Sequence, residues 1–263
     1  MISQNNRETI EAFARLLEIM SELRAKCPWD MKQTWESLRT LTIEETYELA
    51  DAIIDNDAGG IKEELGDLML HLVFYSQIGV EKEAFNLREV LDHINKKLVY
   101  RHPHIFGDVE VSNAREVEEN WEKIKLSEGG KKTVLGGIPA GLPALVKAYR
   151  IQDKARGVGF DWEKREQVWD KVEEEIQEFR KEVSESEDPE SMEEEFGDVF
   201  FSLVNAARLY GINPENALER TNLKFIKRFN YLEKKTIAKG QSLRDMSLEE
   251  MDEIWEESKK SDK

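Results

Sequence analysis

Apolar residues recur along nearly the whole chain at the spacing of an α-helix. An early run comprises Leu16, Ile19, Met20 and Leu23, which follow one another at short helical intervals. This spacing places apolar side chains on one face of a helix with about 3.6 residues per turn. The alternation of apolar and polar residues that is typical of strands is nearly absent, so the pattern predicts an all-α protein.

Glycine and proline interrupt this pattern most densely between Ser127 and Pro143. Both residue types favour turns, and proline removes a backbone donor that a helix needs. A chain of 263 residues is also long enough to form two domains of ordinary size. We therefore predict an N-terminal helical domain at residues 1–128, a linker at 129–141 and a C-terminal helical domain at 142–263.

The same two acidic motifs occur in the same order in each half of the chain, at an offset of about 130 residues. They are Glu44-Glu45-x-x-Glu48 and Glu64-x-x-Asp67 in the first half, and Glu174-Glu175-x-x-Glu178 and Glu195-x-x-Asp198 in the second. A turn-forming segment separates the two motifs in each half, at residues 56–60 and 184–189. We therefore expect each half to carry its motifs on the two arms of a helical hairpin.

Within each motif, acidic residues three positions apart project from the same side of a helix. If the hairpin arms pack against each other, four carboxylates converge in each half. The first set is Glu45, Glu48, Glu64 and Asp67, and the second is Glu175, Glu178, Glu195 and Asp198. Four like charges repel unless a cation neutralises them, and an all-oxygen set suits Mg²⁺, with Mn²⁺ as a substitute. The sequence therefore predicts a metal site in each half.

A glycine lies between the acidic residues of the second motif in both halves, as Gly66 and Gly197. Glycine in a helix interior costs about 1 kcal/mol relative to alanine. Apolar residues flank these motifs, and charged residues in apolar surroundings are seldom left without a partner. We expect the glycines to permit the close approach of another helix or of a ligand.

A lysine beside the first acidic motif of the second half distinguishes the two halves. Lys171 lies three and four residues before Glu174 and Glu175, on the same helical side, where it could reach a triphosphate. The matching position in the first half is Leu41. This difference favours the second half as the working site.

Three further residues in the second half have side chains that suit a nucleotide. Lys224 and Arg228 are four apart on one helical face and could meet phosphate oxygens, although such residues are more often partners in surface salt bridges. Trp255 could stack on a base, although a single tryptophan near a helix end is more often part of a core. These residues are weaker candidates than the acidic sets.

The composition limits the range of partners. Asp and Glu outnumber Lys and Arg by 55 to 38, and the resulting net charge of −17 repels nucleic acid and anionic membranes. No apolar run approaches the roughly 18 residues needed to span a bilayer. The single cysteine, Cys27, cannot form an internal disulfide, and the polar N-terminal residues lack the features of a signal peptide. We expect a cytoplasmic protein that binds neither nucleic acid nor membranes.

The duplicated acidic motifs resemble the MazG family of all-α nucleoside triphosphate pyrophosphohydrolases. Further segments strengthen the resemblance to tandem-domain bacterial members: Cys27-Pro28-Trp29-Asp30, Arg101-His102-Pro103-His104 and Val158-Gly159-Phe160-Asp161-Trp162. The resemblance covers almost the whole chain.

This resemblance implies Mg²⁺-dependent hydrolysis of canonical and aberrant nucleoside triphosphates to the monophosphate and pyrophosphate, by a homodimer of helical bundles with a role in nucleotide-pool housecleaning. Carried onto the matching positions, it implies metal binding by Glu175, Glu178, Glu195 and Asp198. It also implies nucleotide contacts by Lys171, Glu174, Lys224, Arg228 and Trp255. Glu174 or Glu175 could orient or deprotonate the attacking water, and the residues do not decide between them.

Two other classes of protein also use acidic helices. A di-iron carboxylate bundle draws ligands from Glu-x-x-His motifs, but none of the four histidines has a glutamate three residues before it. The alternative from a different class is a non-enzymatic acidic helical adaptor, whose carboxylates would serve only solubility. Convergence of the carboxylates would distinguish the enzyme from the adaptor.

Overall fold

A computed structural model of the protein describes residues 3–113, 116–117, 120–121, 124, 133–186, 188–238 and 240–260. These residues form helices, turns and bends and no strand, which confirms the all-α prediction. The chain divides into two compact units, Met1–Lys125 and Leu126–Lys263. None of the described helices is both long enough and apolar enough to cross a membrane.

Five α-helices of the first unit have their bounds within the described residues. They are α1 (Gln4–Lys26), α2 (Trp35–Ile54), α3 (Ala58–Glu81), α4 (Leu87–Arg101) and the short α5 (Pro103–Phe106). Several of these helices have an N-cap residue whose side chain accepts a hydrogen bond from a backbone N–H group of the first turn. Thr34 caps α2 in this way and Asn86 caps α4. The hairpin of α2 and α3 packs along its length, and α1 packs on α3.

Five α-helices of the second unit also have their bounds within the described residues. They are α6 (Ala144–Arg156), α7 (Val168–Glu185), α8 (Pro189–Leu209), α9 (Pro214–Ala238) and α10 (Leu248–Lys260). Pro189 and Pro214 are the first residues of α8 and α9, where a missing N–H removes no helical bond. Helices α7 and α8 pack as a hairpin, and α6 packs on α8.

Both predicted hairpins are therefore present, with a small difference at the first turn. The sequence predicts that turn at residues 56–60, but α3 begins at Ala58 and includes Gly59 and Gly60. Asn56 adopts a positive φ of 54° and Asp57 caps the helix by accepting from the N–H of Gly59 at 2.9 Å, so the turn closes within three residues. Residues 129–132 of the expected linker lie outside the described part of the chain, and 133–141 form turns and bends.

The interiors of the two units differ in how they are filled. The first has a core of Met20, Leu38, Val73, Phe74 and Ile78, and Leu41 and other apolar residues pack against it. The second has a smaller buried cluster of Val168, Val172 and Ala206. Among the described residues, the buried apolar cluster of the second unit is therefore smaller than that of the first.

Candidate metal and nucleotide site

Carboxylates converge in the first unit across the α2–α3 hairpin. Oxygen atoms of Glu45, Glu48 and Glu64 all lie within 4.8 Å of one another. One oxygen of Glu64 is buried and has no hydrogen-bond partner in the described structure. Burial raises the pKa of Glu64, and a hydrogen bond that Glu64 donates to Glu45 and the charges of Glu48, Glu45 and Asp67 raise this pKa further. The three residues thus form an oxygen-lined cluster whose charge disfavours full ionisation.

Asp67 lies outside this closest group but acts on it. Its charge helps to raise the pKa of Glu45, after the larger effect of burial. Asp67 also opposes the lowering that burial imposes on the pKa of His71, a buried residue whose Nδ1 has no hydrogen-bond partner among the described residues.

The second unit repeats the arrangement across the α7–α8 hairpin. Oxygen atoms of Glu175, Glu195 and Asp198 lie within 4.8 Å of one another, and Glu175 is buried. Burial raises the pKa of Glu195, followed by the charges of Glu178, Asp198 and Glu175. Glu178 is exposed and lies outside the closest group, although its charge acts on Glu195. The structure therefore places all four members of the predicted set on the same hairpin.

Lys171 partly neutralises this second cluster. Its Nζ lies 2.7 Å from Glu174 Oε1 and 2.8 Å from Glu175 Oε1, and these two carboxylates raise the pKa of the lysine. Leu41, at the matching position of the first unit, packs against the apolar core instead. Among the described residues, Lys171 thus places a cationic side chain against the buried Glu175 of the second cluster, and an apolar side chain holds the matching position near the first.

A cavity of about 660 Å³ opens beside the second cluster. Lys171, Glu175 and Asp198 contribute to its lining. Its other walls come from α6, α8 and the segment before α7, and include Gln152, Phe160, Asp161, Trp162, Phe201, Asn205 and Arg208. The volume is in the range of cavities that hold a drug-sized ligand.

A nearly buried ion pair supports one wall of this cavity. Arg208, whose side chain is only 6% exposed, donates to both carboxylate oxygens of Asp161 and to Asn205 Oδ1, the latter at 2.9 Å. Burial alone would raise the pKa of Asp161, but the hydrogen bonds from Arg208 and from the Trp162 N–H hold it below its ordinary value. Asp161 and Arg208 therefore remain a charge-compensated pair.

The remaining nucleotide-binding candidates, Lys224, Arg228 and Trp255, lie on α9 and α10. The guanidinium carbon of Arg228 lies 6.0 Å from the centre of the Trp255 ring, which also packs against Phe225. Arg228 lines a second cavity of about 430 Å³. The lining of the larger cavity includes none of Lys224, Arg228 and Trp255.

Comparison with known proteins identifies both halves. The MazG nucleotide pyrophosphohydrolase domain matches residues 33–106 and again residues 163–232, which together exceed half of the chain. The chain belongs to the MazG family. Each of the two MazG domains contains one of the hairpins and its carboxylate cluster.

Relatives of this MazG chain align from end to end. The nucleoside triphosphate pyrophosphohydrolase/pyrophosphatase MazG of Thermotoga maritima is 44% identical over 254 residues, covering 95% of this chain and 96% of the relative. The nucleoside triphosphate pyrophosphohydrolase of Escherichia coli K12 is 41% identical, covering 94% and 97%. A crystal structure of a mazG-related protein from Thermotoga maritima covers 43% of this chain at 29% identity with a TM-score of 0.39.

Several residues of the larger cavity are not among the site predictions from sequence. Asp161 belongs to the segment Val158-Gly159-Phe160-Asp161-Trp162, but its partner Arg208 lies 47 residues away along the chain. Gln152 belongs to no acidic or basic pattern. The packing of α6 on α8 brings Gln152 to the cavity. The spacing of residues along the chain does not predict this contact between helices.

Proposed function

We propose that this MazG protein hydrolyses nucleoside triphosphates to the nucleoside monophosphate and pyrophosphate with bound Mg²⁺, for which Mn²⁺ can substitute. The single observation that carries the proposal is the convergence of three carboxylates across the second hairpin, with Lys171 held against Glu174 and Glu175. The names of the two end-to-end relatives support the same reaction. Glutamates that served only the solubility of an adaptor would gain nothing from this convergence, because their charges repel one another.

The donor set of the second domain fits a hard divalent cation. Its nearest members supply only carboxylate oxygens, and the raised pKa of Glu195 reflects burial and repulsion that a cation would relieve. We propose Glu175, Glu195 and Asp198 as ligands, with Glu178 completing the set from its exposed position. The bound ion would offset negative charge on the phosphate oxygens and lower the pKa of a coordinated water.

The side chains around this set have separate proposed roles. Lys171 would exchange its contact with Glu174 and Glu175 for a contact with phosphate oxygens when the nucleotide binds. Glu174 lies outside the closest metal-binding group and would then be free to orient or deprotonate the attacking water, while Glu175 serves mainly as a ligand. Lys224, Arg228 and Trp255 would contact the nucleotide from α9 and α10.

The second domain is the proposed catalytic domain, and the packing explains why. Phe74 lies seven residues after Asp67, and Asn205 lies seven residues after Asp198, so the two hold matching positions on α3 and α8. Phe74 is 2% exposed in the apolar core, whereas Asn205 lines the larger cavity. Leu41 and Lys171 differ in the same way. We propose that Glu45, Glu48, Glu64 and Asp67 bind an ion with a mainly structural effect.

A homodimer is part of the proposal. Helix α8 presents an apolar stripe of Phe196, Phe200 and Leu203, which are 43%, 49% and 40% exposed. Apolar side chains aligned on one helix face favour packing against a partner. A Cβ built at Gly197, within this helix, meets no atom within 4 Å, so no other helix of the described chain makes the close approach expected there. A second copy or a ligand has room to do so.

The activity should extend to canonical and aberrant ribo- and deoxyribonucleotides, as nucleotide-pool housecleaning in the cytoplasm requires. The test is to incubate the protein with ATP, other nucleoside triphosphates and their deoxy or deaminated forms, with Mg²⁺, Mn²⁺ or EDTA, and to measure pyrophosphate and monophosphate. We expect both products in equal amounts with either metal and none with EDTA. Absence of release from every triphosphate would favour the adaptor.

A further inference from the structure

Residues 157–167 of the second MazG domain join α6 to α7 and contribute to the wall of the larger cavity. The contributing residues are Gly159, Phe160, Asp161 and Trp162. The side chain of Phe160 is 83% exposed, and Gly159 has a positive φ of 88°. Burial of Phe160 therefore contributes little to holding this segment in place.

A polar network instead connects the segment to α8. Arg208 donates to both carboxylate oxygens of Asp161, and its Nη1 lies 3.1 Å from Asp161 Oδ2. Asp161 Oδ1 also accepts from the backbone N–H of Trp162 at 3.0 Å. The same guanidinium donates from Nε and Nη2 to Asn205 Oδ1, at 3.2 and 2.9 Å. The carboxylate of Asp161 therefore links the backbone of the segment to a side chain that α8 holds in a fixed orientation.

The burial of Arg208 determines what this ion pair contributes. The side chain of Arg208 is 6% exposed and that of Asp161 is 21% exposed. Removing two charges from water offsets much of their attraction, so a buried pair contributes little net stability. A planar guanidinium with two donors nevertheless holds a carboxylate in one orientation. The pair therefore fixes a position more than it stabilises the fold.

The first MazG domain holds its corresponding segment in a different way. Gln77 matches Arg208, because each lies ten residues after the last acidic residue of its domain's second motif. Arg24 of α1 contacts the segment between α1 and α2 by donating to the backbone oxygens of Asp30 and Gln33, the latter at 3.0 Å. Within the described residues, an arginine of α1 thus holds the first segment by its backbone, and an arginine of α8 holds the second by a carboxylate.

We propose that Arg208 is a positioning residue for the proposed reaction and that, through Asp161, it holds residues 159–162 as a wall of the substrate cavity. The inference rests on the proposed function, since Lys171 and Glu175 line the same cavity. Release of the segment would move this wall without removing any proposed metal ligand. Loss of Arg208 should therefore weaken nucleotide binding more than it slows the chemical step.

The test releases the segment of each domain separately. Arg208→Met removes the charge, Arg208→Lys keeps the charge without the forked donors, and Asp161→Asn removes the charge of the acceptor. Arg24→Met is the matched control, because it removes the backbone contacts of the first domain. Hydrogen exchange of peptides covering 157–167 reports the order of the segment without turnover. Steady-state pyrophosphate release from ATP gives KM and kcat.

We expect Arg208→Met to speed exchange in 157–167 and to raise KM for ATP by about tenfold, the effect of one charge-assisted hydrogen bond. Its kcat should stay close to that of wild type. Asp161→Asn should behave in the same way, and Arg208→Lys should have a smaller effect. The double change of Arg208→Met with Asp161→Asn should be no worse than either single change, because the pair acts as one unit. Arg24→Met should leave KM and exchange in 157–167 near the wild-type values.

A purely structural role of the pair predicts a different result. If Arg208→Met and Arg208→Lys melt at a lower temperature but keep the KM of wild type, the proposal is overturned. Unchanged exchange in 157–167 would overturn it as well, and so would an equal rise in KM for Arg24→Met. If Arg208→Met does not fold, Arg208→Lys and Asp161→Asn provide the same comparisons.

A binding measurement keeps the inference separate from the proposed reaction. Calorimetric titration with AMP in EDTA requires no turnover, and Arg208→Met should bind AMP about tenfold more weakly than wild type and Arg24→Met. Equal affinities would overturn the positioning role even if pyrophosphate is released. Weaker binding by Arg208→Met, without pyrophosphate release from any triphosphate by wild type, would instead contradict the proposed function alone.

Discussion

The ammonium group of Lys171 lies 2.8 Å from Glu175 Oε1. The residue that matches Lys171 in the first MazG domain is Leu41, which packs against the apolar core. Glu175 is buried, and Lys171 therefore compensates a charge that a metal ion would otherwise have to balance. This contact connects the proposed metal ligands with the proposed phosphate-binding group. The matching position of the first domain holds an apolar side chain instead of a cation.

The first prediction concerns the loss of this ammonium group. Lys171→Met should lower kcat/KM for ATP by about 10²-fold, because one charged donor to the phosphate oxygens is removed. Binding of Mn²⁺ without nucleotide should become tighter, because Glu175 loses a competing positive charge. Steady-state pyrophosphate release and Mn²⁺ titration calorimetry measure the two effects.

The matched control is Leu41→Met in the first domain, which exchanges two apolar side chains of similar size. It should leave both the rate and Mn²⁺ binding close to wild type. Weaker Mn²⁺ binding in Lys171→Met would contradict the proposed role of Lys171, since it would mean that the lysine supports the ion site.

A second prediction compares matching carboxylates in the two domains. Asp198→Asn should reduce kcat by at least about 10²-fold, because an amide cannot replace the charge of a metal ligand. Asp67→Asn should leave kcat near the wild-type value, since apolar Leu41 and Phe74 hold the positions that Lys171 and Asn205 hold in the second domain. Circular dichroism should show equal helical content in both variants. An equal loss of activity in both would remove the preference for the second domain.

Much of the fold and of both clusters could be predicted from the sequence, because the relevant signals are local and duplicated. Acidic residues three apart lie on the same side of a helix, and a short turn separates the two acidic motifs within each half. The same pattern appears twice, and this distinguishes it from a solvated surface. In the structure Glu175, Glu195 and Asp198 meet from two helices, as the hairpin requires.

The cavity could not be predicted in this way, because its polar groups come from distant parts of the chain. Gln152 donates a hydrogen bond to the backbone oxygen of Phe201, which is 49 residues away, and neither residue belongs to a charged motif. The difference between Phe74 and Asn205 also has meaning only after the packing of each domain is known. Local spacing therefore predicts which residues gather on a hairpin. The cavity beside the second hairpin depends instead on how α6 packs against it.

The third prediction concerns the effect of pH on stability. The pKa of Glu195 is raised in the folded protein by burial and by neighbouring carboxylates, so its ionisation opposes folding. In EDTA, this contribution should be most favourable at a pH below the ordinary pKa of the carboxyl and should be lost as pH rises through the raised value. Glu195→Gln should therefore melt at a higher temperature than wild type at pH 7 in EDTA.

Mg²⁺ should reverse this order. The ion binds the ionised carboxylates of the folded state and stabilises wild type by mass action, whereas Glu195→Gln has lost a ligand and gains less. Differential scanning calorimetry at pH 5 and pH 7, with and without Mg²⁺, measures the four values. Identical responses of the two proteins to Mg²⁺ would exclude Glu195 from the ion site.

The last prediction concerns the apolar stripe on α8. Phe200 is 49% exposed and lies between Phe196 and Leu203 on the same helix face. Burial of a phenylalanine contributes about 1.5–3 kcal/mol, and a symmetric dimer loses this contribution twice when the residue is changed. Phe200→Glu should therefore weaken dimerisation by at least about 10²-fold in Kd. Sedimentation velocity over a range of protein concentrations measures the shift towards monomer.

Two further variants make this result specific to the stripe. Leu248→Glu places the same charge at an apolar residue that is 79% exposed on α10, and it should dimerise like wild type. Met69→Glu changes the matching position of α3, so its effect shows whether the first domain also contributes to assembly. If Phe200→Glu and Leu248→Glu both remain dimeric at nanomolar concentration, the stripe is not the interface. The open space at Gly197 would then be left for a ligand rather than for a second copy.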